Sequence, residues 1–260
     1  FVSVQLFLKG QTGSVSANRG EIVQGEIHWA NNLPVRVQNI EIQIKLNGSI
    51  LNKSLVRTGQ GFYRSADSTL IFNKTTDPRL ADLEPGGEGV SGFEFASLPV
   101  GQGSFQSPSI TLTATVKANR SSEGGVVDVV QSSANATLQV ATDIAFTPVL
   151  TRVSGPVPPK VDTETVYTVT WLLQNSANAI ANTAVSGVVP ASVEWKGGAS
   201  DPSVSYNENG RTVTWTIGDM NANVSKSVSF QVGLTPSITQ LNSIVSLLTD
   251  VRVTAFDRFI

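Results

Sequence analysis

The feature that most constrains this 260-residue chain is a hydrophobic pattern that occurs twice, about 140 residues apart. The segment 166–175 reads VYTVTWLLQN, and the segment 23–32 reads VQGEIHWANN. Aligning Ile27 with Trp171 gives an offset of 144. A pattern repeated at this distance predicts two copies of one structural module, because each copy is as long as an ordinary domain.

The repeat continues further along the chain in the same order. Phe72 and Trp215 differ by 143 positions, and Phe93 and Phe230 differ by 137. Because the order is kept while the offset falls, we interpret the difference as a loop that changes length between the copies. Repeated modules usually serve reach, spacing or assembly, and this favours a structural function.

Short alternating segments make up both copies, and glycine, proline, asparagine and aspartate separate them. No segment of ten or more residues shows a helical stripe. Seven or eight short strands in roughly 100 to 140 residues are typical of an immunoglobulin-like sandwich. We therefore predict an all-β fold of two tandem immunoglobulin-like β-sandwich domains, residues 1–142 and 143–260.

Some parts of the chain are predicted less directly from this alternation. The stretch 10–20 is rich in turn residues, so we predict no strand there. The segments 126–130 and 136–140 are predicted as two separate strands, because five mostly polar residues lie between them. The terminal segments 2–8 and 251–256 alternate as strands, and we expect one of them to pair with a neighbouring subunit.

Composition excludes several classes of function. The net charge is −2, and the chain has no basic block, which disfavours nucleic-acid binding. There is no cysteine, so disulfides and thiolate metal sites are excluded. The longest largely apolar stretches, such as 245–248, are far too short to span a bilayer. We expect membrane attachment only through an anchor outside residues 1–260.

His28 is the single histidine, so any catalytic triad or histidine-based metal site has to include it. It lies between Ile27 and Trp29 in a strand pattern. Because strand residues alternate between faces, His28 is predicted to point outward while its neighbours point inward. This arrangement favours a surface histidine over a catalytic one.

Carboxylates occur in pairs, but in turn-like segments. Asp162 with Glu164, and Glu84 with Glu88, are predicted to be solvated loop charges and not a general acid and base. Asp143, Asp162 and Glu164 lie near the predicted domain boundary, where a calcium ion is an alternative, although they lack the dense spacing of a calcium loop. We predict no catalytic, cofactor-binding or metal residues, no cofactor and no enzymatic activity.

Four tryptophans leave a carbohydrate platform open as an alternative, because flat aromatic faces stack on sugars. Trp29, Trp171 and Trp215 lie in strand patterns that favour core packing. Trp195 is followed by a lysine and two glycines and is the least constrained. It is therefore the aromatic residue for which exposure matters most.

With these segments laid out, the second copy resembles the immunoglobulin-like repeats of unknown function found in bacterial and archaeal cell-surface proteins. The residues that carry the resemblance are Tyr167, Val169, Trp171 and Asn175; Val185, Pro190, Val193 and Trp195; Val213, Trp215, Ile217 and Gly218; and Phe230, Val232, Leu234 and Pro236. The segment 154–161, SGPVPPKV, especially resembles surface proteins of candidate phyla radiation bacteria. Residues 145–257 match well, so the second domain is the family-typical copy.

The first copy is divergent: it has Gly25 where the second has Val169, and Phe72 where the second has Trp215. The resemblance implies an extracellular, cell-surface structural or adhesive module without catalytic residues. We therefore expect a non-enzymatic module of a prokaryotic stalk, sheath or filament that associates with itself head to tail. The alternative is an adhesin that binds a host-cell protein or glycan, and other surface proteins or glycans are further candidate partners.

Overall fold

The computed structural model describes residues 2–121 and 127–260 and divides the chain into two compact units. Unit 1 comprises Phe1–Ala141 with Phe259–Ile260, and unit 2 comprises Thr142–Arg258. Apart from short 3-10 helices at Lys53–Leu55, Pro78–Leu80 and Ile238–Gln240, all regular structure in the described residues is β-strand. No helix within them is long and apolar enough to cross a membrane.

Unit 1 is built from eleven strands within its described residues. They are β1 (Val2–Leu8), β2 (Gln11–Ala17), β3 (Ile22–Asn31), β4 (Val37–Asn47), β5 (Arg57–Thr58), β6 (Phe62–Arg64), β7 (Thr69–Phe72), β8 (Asp82–Leu83), β9 (Glu88–Ala96), β10 (Ser109–Ser121) and β11 (Val127–Val140). Pairing runs in the order β5-β9-β3-β1-β2-β11-β10-β4-β7-β6, and β8 pairs with β4. The apolar residues of this unit form one buried cluster, to which both β3 and β10 contribute.

Strand β2 connects the two parts of this pairing order. At its start it forms a hairpin with β1, and from Gly13 to Ala17 it pairs in parallel with β11. The prediction that residues 10–20 contain no strand is therefore wrong. Only Val15 and Ala17 of β2 are buried, so its sequence shows too little apolar alternation to identify it.

Strand β11 is continuous, and the two strands predicted in its place are one. The polar residues at 131–135 lie on a long antiparallel pairing with β10, which supplies backbone partners whatever the side chains are. Residue 126, the predicted start of the first of these strands, lies outside the described residues.

Unit 2 has eight strands in two sheets of four. They are β12 (Ile144–Ser154), β13 (Thr165–Asn175), β14 (Ile180–Val188), β15 (Val193–Gly197), β16 (Val204–Asn207), β17 (Thr212–Met220), β18 (Ser225–Leu234) and β19 (Thr249–Asp257). The sheet orders are β12-β13-β18-β15 and β16-β17-β14-β19. Side chains from both sheets form the single apolar cluster of this unit, including Trp171 of β13 and Trp215 of β17.

The offset of 144 between the copies is preserved in the strand pairing. Ile27 of β3 pairs with Ser91 of β9, and Trp171 of β13 pairs with Val228 of β18. The offset is 144 for the first residues of these pairs and 137 for the second. Ile27 and Trp171 are both fully buried. Their predicted equivalence is confirmed.

The second predicted equivalence is confirmed in the same way. Phe72 of β7 pairs with Ile42 of β4, and Trp215 of β17 pairs with Val185 of β14. Both residues of the first pair differ from those of the second by 143, and all four are buried. The order β5-β9-β3-β1 of unit 1 thus corresponds to β15-β18-β13-β12, and the order β6-β7-β4-β10 corresponds to β16-β17-β14-β19.

The units differ at one flank. In unit 1 the second of these orders continues past β10 with β11 and β2, whereas in the described part of unit 2 its sheet ends at β19. The correspondence of β10 with β19 rests on register: Val116 pairs with Ile42, and Val253 pairs with Val185. Unit 2 therefore repeats unit 1 without counterparts of β2, β11 and the two-residue strand β8 among the residues described.

The divergence at Gly25 has a packing reason. A Cβ at this position would lie 2.3 Å from the ring of Phe93, its cross-strand partner. The ring thus lies over the glycine backbone and fills the space that a side chain would need. In unit 2 the corresponding pair is Val169 and Phe230, and both are buried.

Candidate functional site

His28 lies on β3 with 40% of its side chain exposed. Its Nε2 is 2.9 Å from Oε2 of Glu26, and its ring centroid is 4.6 Å from that of Phe7. The depression beside it is lined by one carboxylate, Glu88, together with Arg79. His28 and Glu26 thus form a surface hydrogen bond, and Glu88 is the one carboxylate among the residues that line the depression.

Of the carboxylates considered for calcium, Asp162 and Glu164 are two positions apart in the chain, whereas Asp143 lies far from Glu164. Glu164 makes a 2.7 Å ion pair with Lys196, and the hydrogen bonds that Lys196 donates to Glu164 and Glu194 raise its pKa. Asp143 directly precedes the 11-residue strand β12, and Glu164 lies near the other end of that strand. The two carboxylates are therefore roughly 33 Å apart. Among the described residues, no group of three or more His, Cys, Asp and Glu side chains could hold a metal ion.

Two acids with lowered pKa values, Asp67 and Asp77, take part in local ion pairs. The guanidinium of Arg64 lowers the pKa of Asp67 to about 2. Hydrogen bonds from Arg79 lower the pKa of Asp77, whose side chain is buried and caps the 3-10 helix Pro78–Leu80. Arg79 in turn lies 5.6 Å from the ring centroid of Trp29. These interactions fix loops of unit 1.

Three tryptophans are core residues, as their strand patterns predict: Trp29, Trp171 and Trp215 are buried. Trp195 is half-buried and stacks on Tyr206, with ring centroids 5.0 Å apart and an interplanar angle of 11°. The two rings border a depression that also contains Glu194, Glu208 and Arg211. This aromatic pair is a small mixed apolar and charged surface.

Sequence reasoning did not single out a buried asparagine that recurs in both units. Asn175 ends β13, and its Nδ2 donates to the carbonyls of Asn178 and Asn221 at 2.7 and 2.8 Å. Asn31 ends β3, and its Nδ2 donates to the carbonyls of Val35, Leu83 and Glu84. The two asparagines are 144 positions apart, so the repeat offset is the signal that identifies them.

The most distinctive surface of unit 2 is its open flank, defined by Pro148 and Leu150 of β12 and Val251 and Ala255 of β19. By register, Leu150 corresponds to Leu8, because Leu8 pairs with Gly25 and Leu150 with Val169. Leu8 is 0% exposed, whereas Leu150 is 54% exposed.

Strand β19 shows the same contrast with β10. Val116 and Ala118 of β10 are fully buried, and the corresponding Val253 and Ala255 of β19 are half-buried and exposed. Val251 is 39% exposed, and a Cβ at Gly187 on the neighbouring strand would lie 3.3 Å from it. Positions that form the core of unit 1 are therefore accessible on the open flank of unit 2.

A cavity of about 490 Å³ opens beside this flank. Its walls are mostly apolar and include Leu150, Tyr167, Leu234, Val245 and Leu247. Because β19 ends its sheet, every second backbone N–H and C=O along it points away from β14. Within the described residues, the open flank thus combines a strand edge that pairs with no second strand with apolar side chains, which is the combination that an added β-strand satisfies.

Comparisons with known proteins do not assign the chain to a family. No protein-family model matches it, and no curated protein matches it. A structure named BspA_C_mut is 8% identical, with a TM-score of 0.32 over 90% of both chains. The third cohesin ScaC of Acetivibrio cellulolyticus, in complex with the ScaB dockerin, is 13% identical, with a TM-score of 0.29 over 53% of this chain and 99% of the other. The DNA-binding domain of C. elegans Cep-1 is 7% identical, with a TM-score of 0.30 over 54% of this chain and 89% of the other.

Proposed function

We propose that this chain is a non-catalytic structural module of a prokaryotic cell-surface stalk, sheath or filament. In this proposal both units are immunoglobulin-like β-sandwiches, and the module joins its neighbours through the open flank. The observation that carries the proposal is that unit 2 repeats the registers of unit 1 but leaves core positions such as Leu150 and Val251 accessible. Apolar positions on an unpaired sheet edge favour association with another polypeptide.

The residues that carry the resemblance to surface repeats support a structural role. Trp171, Trp215 and Phe230 are buried in the core of unit 2, and Asn175 holds two loop carbonyls. Gly218 has a φ of +74°, a backbone conformation that glycine adopts readily. Each of these residues is explained by folding, and none of them contributes a reactive group to a cleft.

The titratable groups support the same proposal. His28, Glu164 and Asp77 each contact a group at the surface or in a loop, as ion pairs or hydrogen bonds. General acid–base or nucleophilic catalysis needs such groups to converge on a common reacting atom. A role in spacing and assembly requires no such convergence.

Of the two terminal segments expected to pair with a neighbouring subunit, residues 2–8 already pair within their own unit. All seven residues of β1, from Val2 to Leu8, pair with β3 of the same unit. Val2, Leu6 and Leu8 are also buried there. Donating β1 would expose this core, so head-to-tail association is better served by the open flank acting as an acceptor.

The experiment uses single cysteines, because the chain has none of its own. Asn209→Cys lies in an exposed turn, Val251→Cys on the open flank, and Thr254→Cys on the opposite face of β19. On intact cells that produce the protein, a membrane-impermeant maleimide is expected to label Asn209→Cys and Thr254→Cys quickly. Val251→Cys is expected to be protected on cells and to react quickly in the purified chain.

Two results would contradict the proposal. Failure to label Asn209→Cys on intact cells, with full labelling after lysis, would place the protein inside the cell. Equal reactivity of Val251→Cys on cells and in the purified chain would show that nothing covers the open flank in the native assembly.

An adhesin remains the second candidate, and the half-buried Trp195 and Tyr206 favour it. Stacked aromatic rings bordered by Glu194, Glu208 and Arg211 can contact a sugar face and its hydroxyls. A glycan array with the wild-type chain and Trp195→Ala tests this function. Glycan binding that disappears in Trp195→Ala would support it, and an array without binding would exclude glycan recognition at this surface.

A further inference from the structure

We infer that the open flank of unit 2 receives a single extended polypeptide strand from a neighbouring molecule, antiparallel to β19, with small or branched apolar side chains at every second position. This inference deepens the proposed function and rests on it, because it specifies the partner of the same surface.

Unit 1 shows the flank in its filled form. There, β11 pairs antiparallel with β10 along its whole length, from Ser109 with Gln139 to Ser121 with Val127. The side chains of β11 that face the core are small or branched, and the next ones along the strand are polar. The buried ones are Ala136, Leu138 and Val140. Since β19 corresponds to β10, a strand in the same place would run antiparallel to β19.

The uncovered side chains specify the pattern of the partner. Val251 and Ala255 lie on β19 at alternate positions facing the flank, with the half-buried Val253 between them. Leu150 faces it from β12. A strand whose alternate residues are apolar buries these side chains on one face while its polar residues remain in water on the other. The cavity beside Leu150 gives room for one larger apolar side chain of that strand.

The position of β12 indicates that the partner is a single strand and not the sheet edge of a second copy. In unit 1, β1 lies close to both β10 and β11, so it covers β11 from the other layer. By register, β12 of unit 2 takes the place of β1. If two copies paired through their β19 strands, each β19 would carry with it the sheet that packs against it in its own copy. That sheet would need the space that β12 of the other copy occupies. A strand without a second layer attached avoids this overlap.

The probe is a synthetic peptide with the sequence of residues 129–140, VVQSSANATLQV, because this strand occupies the corresponding place in unit 1. The control peptide carries aspartate at the positions of Ala136 and Leu138. Binding to the purified chain is measured by calorimetry, and hydrogen exchange with mass spectrometry locates the site. We expect one peptide per chain, slowed exchange in β19, and binding to the control weaker by about tenfold or more.

Variants of the chain test the face of β19 that is used. Val251→Lys is expected to weaken peptide binding by about tenfold or more, because the ammonium would be buried under the added strand, whereas Thr254→Lys on the other face changes it by less than about threefold. If Val251→Lys fails to fold, Val251→Cys is folded first and then coupled to a bulky maleimide, which blocks the flank without affecting folding.

Three results would overturn the inference. They are the absence of peptide binding, equal binding of both peptides, and concentration-dependent dimerisation of the chain that protects β19 without any peptide. If the peptide does not bind but Val251→Cys is protected on cells, the proposed function is supported and only the inference of a single added strand is contradicted. If the peptide binds but Val251→Cys is reactive on cells, the open flank can bind a strand, and the proposed assembly on the cell surface is contradicted.

Discussion

Replacing Leu8 and Leu150 by alanine is expected to cost very different amounts of stability, although the two residues hold corresponding positions. Leu8 pairs with Gly25 in unit 1, and Leu150 pairs with Val169 in unit 2. Leu8 is 0% exposed and Leu150 is 54% exposed. The repeat therefore supplies a matched pair in which the covering strands are the main difference.

The magnitudes follow from burial. Leu8→Ala removes a fully buried side chain and leaves a cavity, which costs about 3 kcal/mol. Complete burial of a leucine is worth about 1.5–3 kcal/mol, so a half-exposed Leu150 loses about 1 kcal/mol on truncation and leaves no closed cavity. The difference of about 2 kcal/mol corresponds to roughly a thirtyfold change in the unfolding equilibrium.

Hydrogen exchange followed by mass spectrometry is the suitable assay, because peptides from each unit report the free energy of unfolding of that unit. The most protected peptides of unit 1 are compared between wild type and Leu8→Ala, and those of unit 2 between wild type and Leu150→Ala. Equal losses near 3 kcal/mol would show that Leu150 is covered and that the flank is closed. A loss below about 1 kcal/mol for Leu8→Ala would show that β1 is not packed as described.

Three further substitutions test the local arguments. Gly25→Ala should destabilise unit 1 by about 1–3 kcal/mol, because the new Cβ overlaps the ring of Phe93. A Cβ at Gly92 would have nothing within 4 Å, so Gly92→Ala should change the stability of unit 1 by less than about 0.5 kcal/mol. Equal effects of the two variants in denaturant titrations would contradict the packing of Phe93 over Gly25. Asn175→Ala leaves two loop carbonyls without donors and should cost unit 2 about 3 kcal/mol, against less than about 0.5 kcal/mol for the exposed Gln174→Ala; equal thermal stability of the two variants would contradict this. Asp77→Asn should cost unit 1 about 2 kcal/mol at neutral pH. Because the folded pKa of Asp77 is lowered, its contribution is present above the unfolded pKa and is lost as the pH falls through the folded one, so wild type and variant should converge in acid; a constant difference down to low pH would contradict this.

Much of the fold follows from alternation and from the repeat. The terminal segments 2–8 and 251–256 form strands as predicted, and the offsets of 144 and 143 place Trp171 and Trp215 at the positions of Ile27 and Phe72. Strand β2 could not be predicted, since five of its seven residues are exposed and its pairing depends on a distant strand. Local sequence carries no information about such a partner.

The open flank could not be predicted for a related reason. Val251 and Val253 alternate in the same way as buried strand residues, and alternation reports which face a residue occupies but not whether another strand covers it. Asn175 is one of the residues that carry the resemblance to surface repeats. Its role as a donor to two carbonyls cannot be predicted from the sequence, because it depends on loops that fold back on it. By contrast, the outward position of His28 follows directly from its neighbours.

Residue-resolved amide exchange in the purified chain distinguishes a strand at the edge of its sheet, as β19 is among the described residues, from a strand paired on both sides, as β10 is. We expect slow exchange along β10 and alternating slow and fast exchange along β19, since only every second amide of β19 points toward β14. Uniformly slow exchange along both strands in a monomeric sample would contradict this expectation.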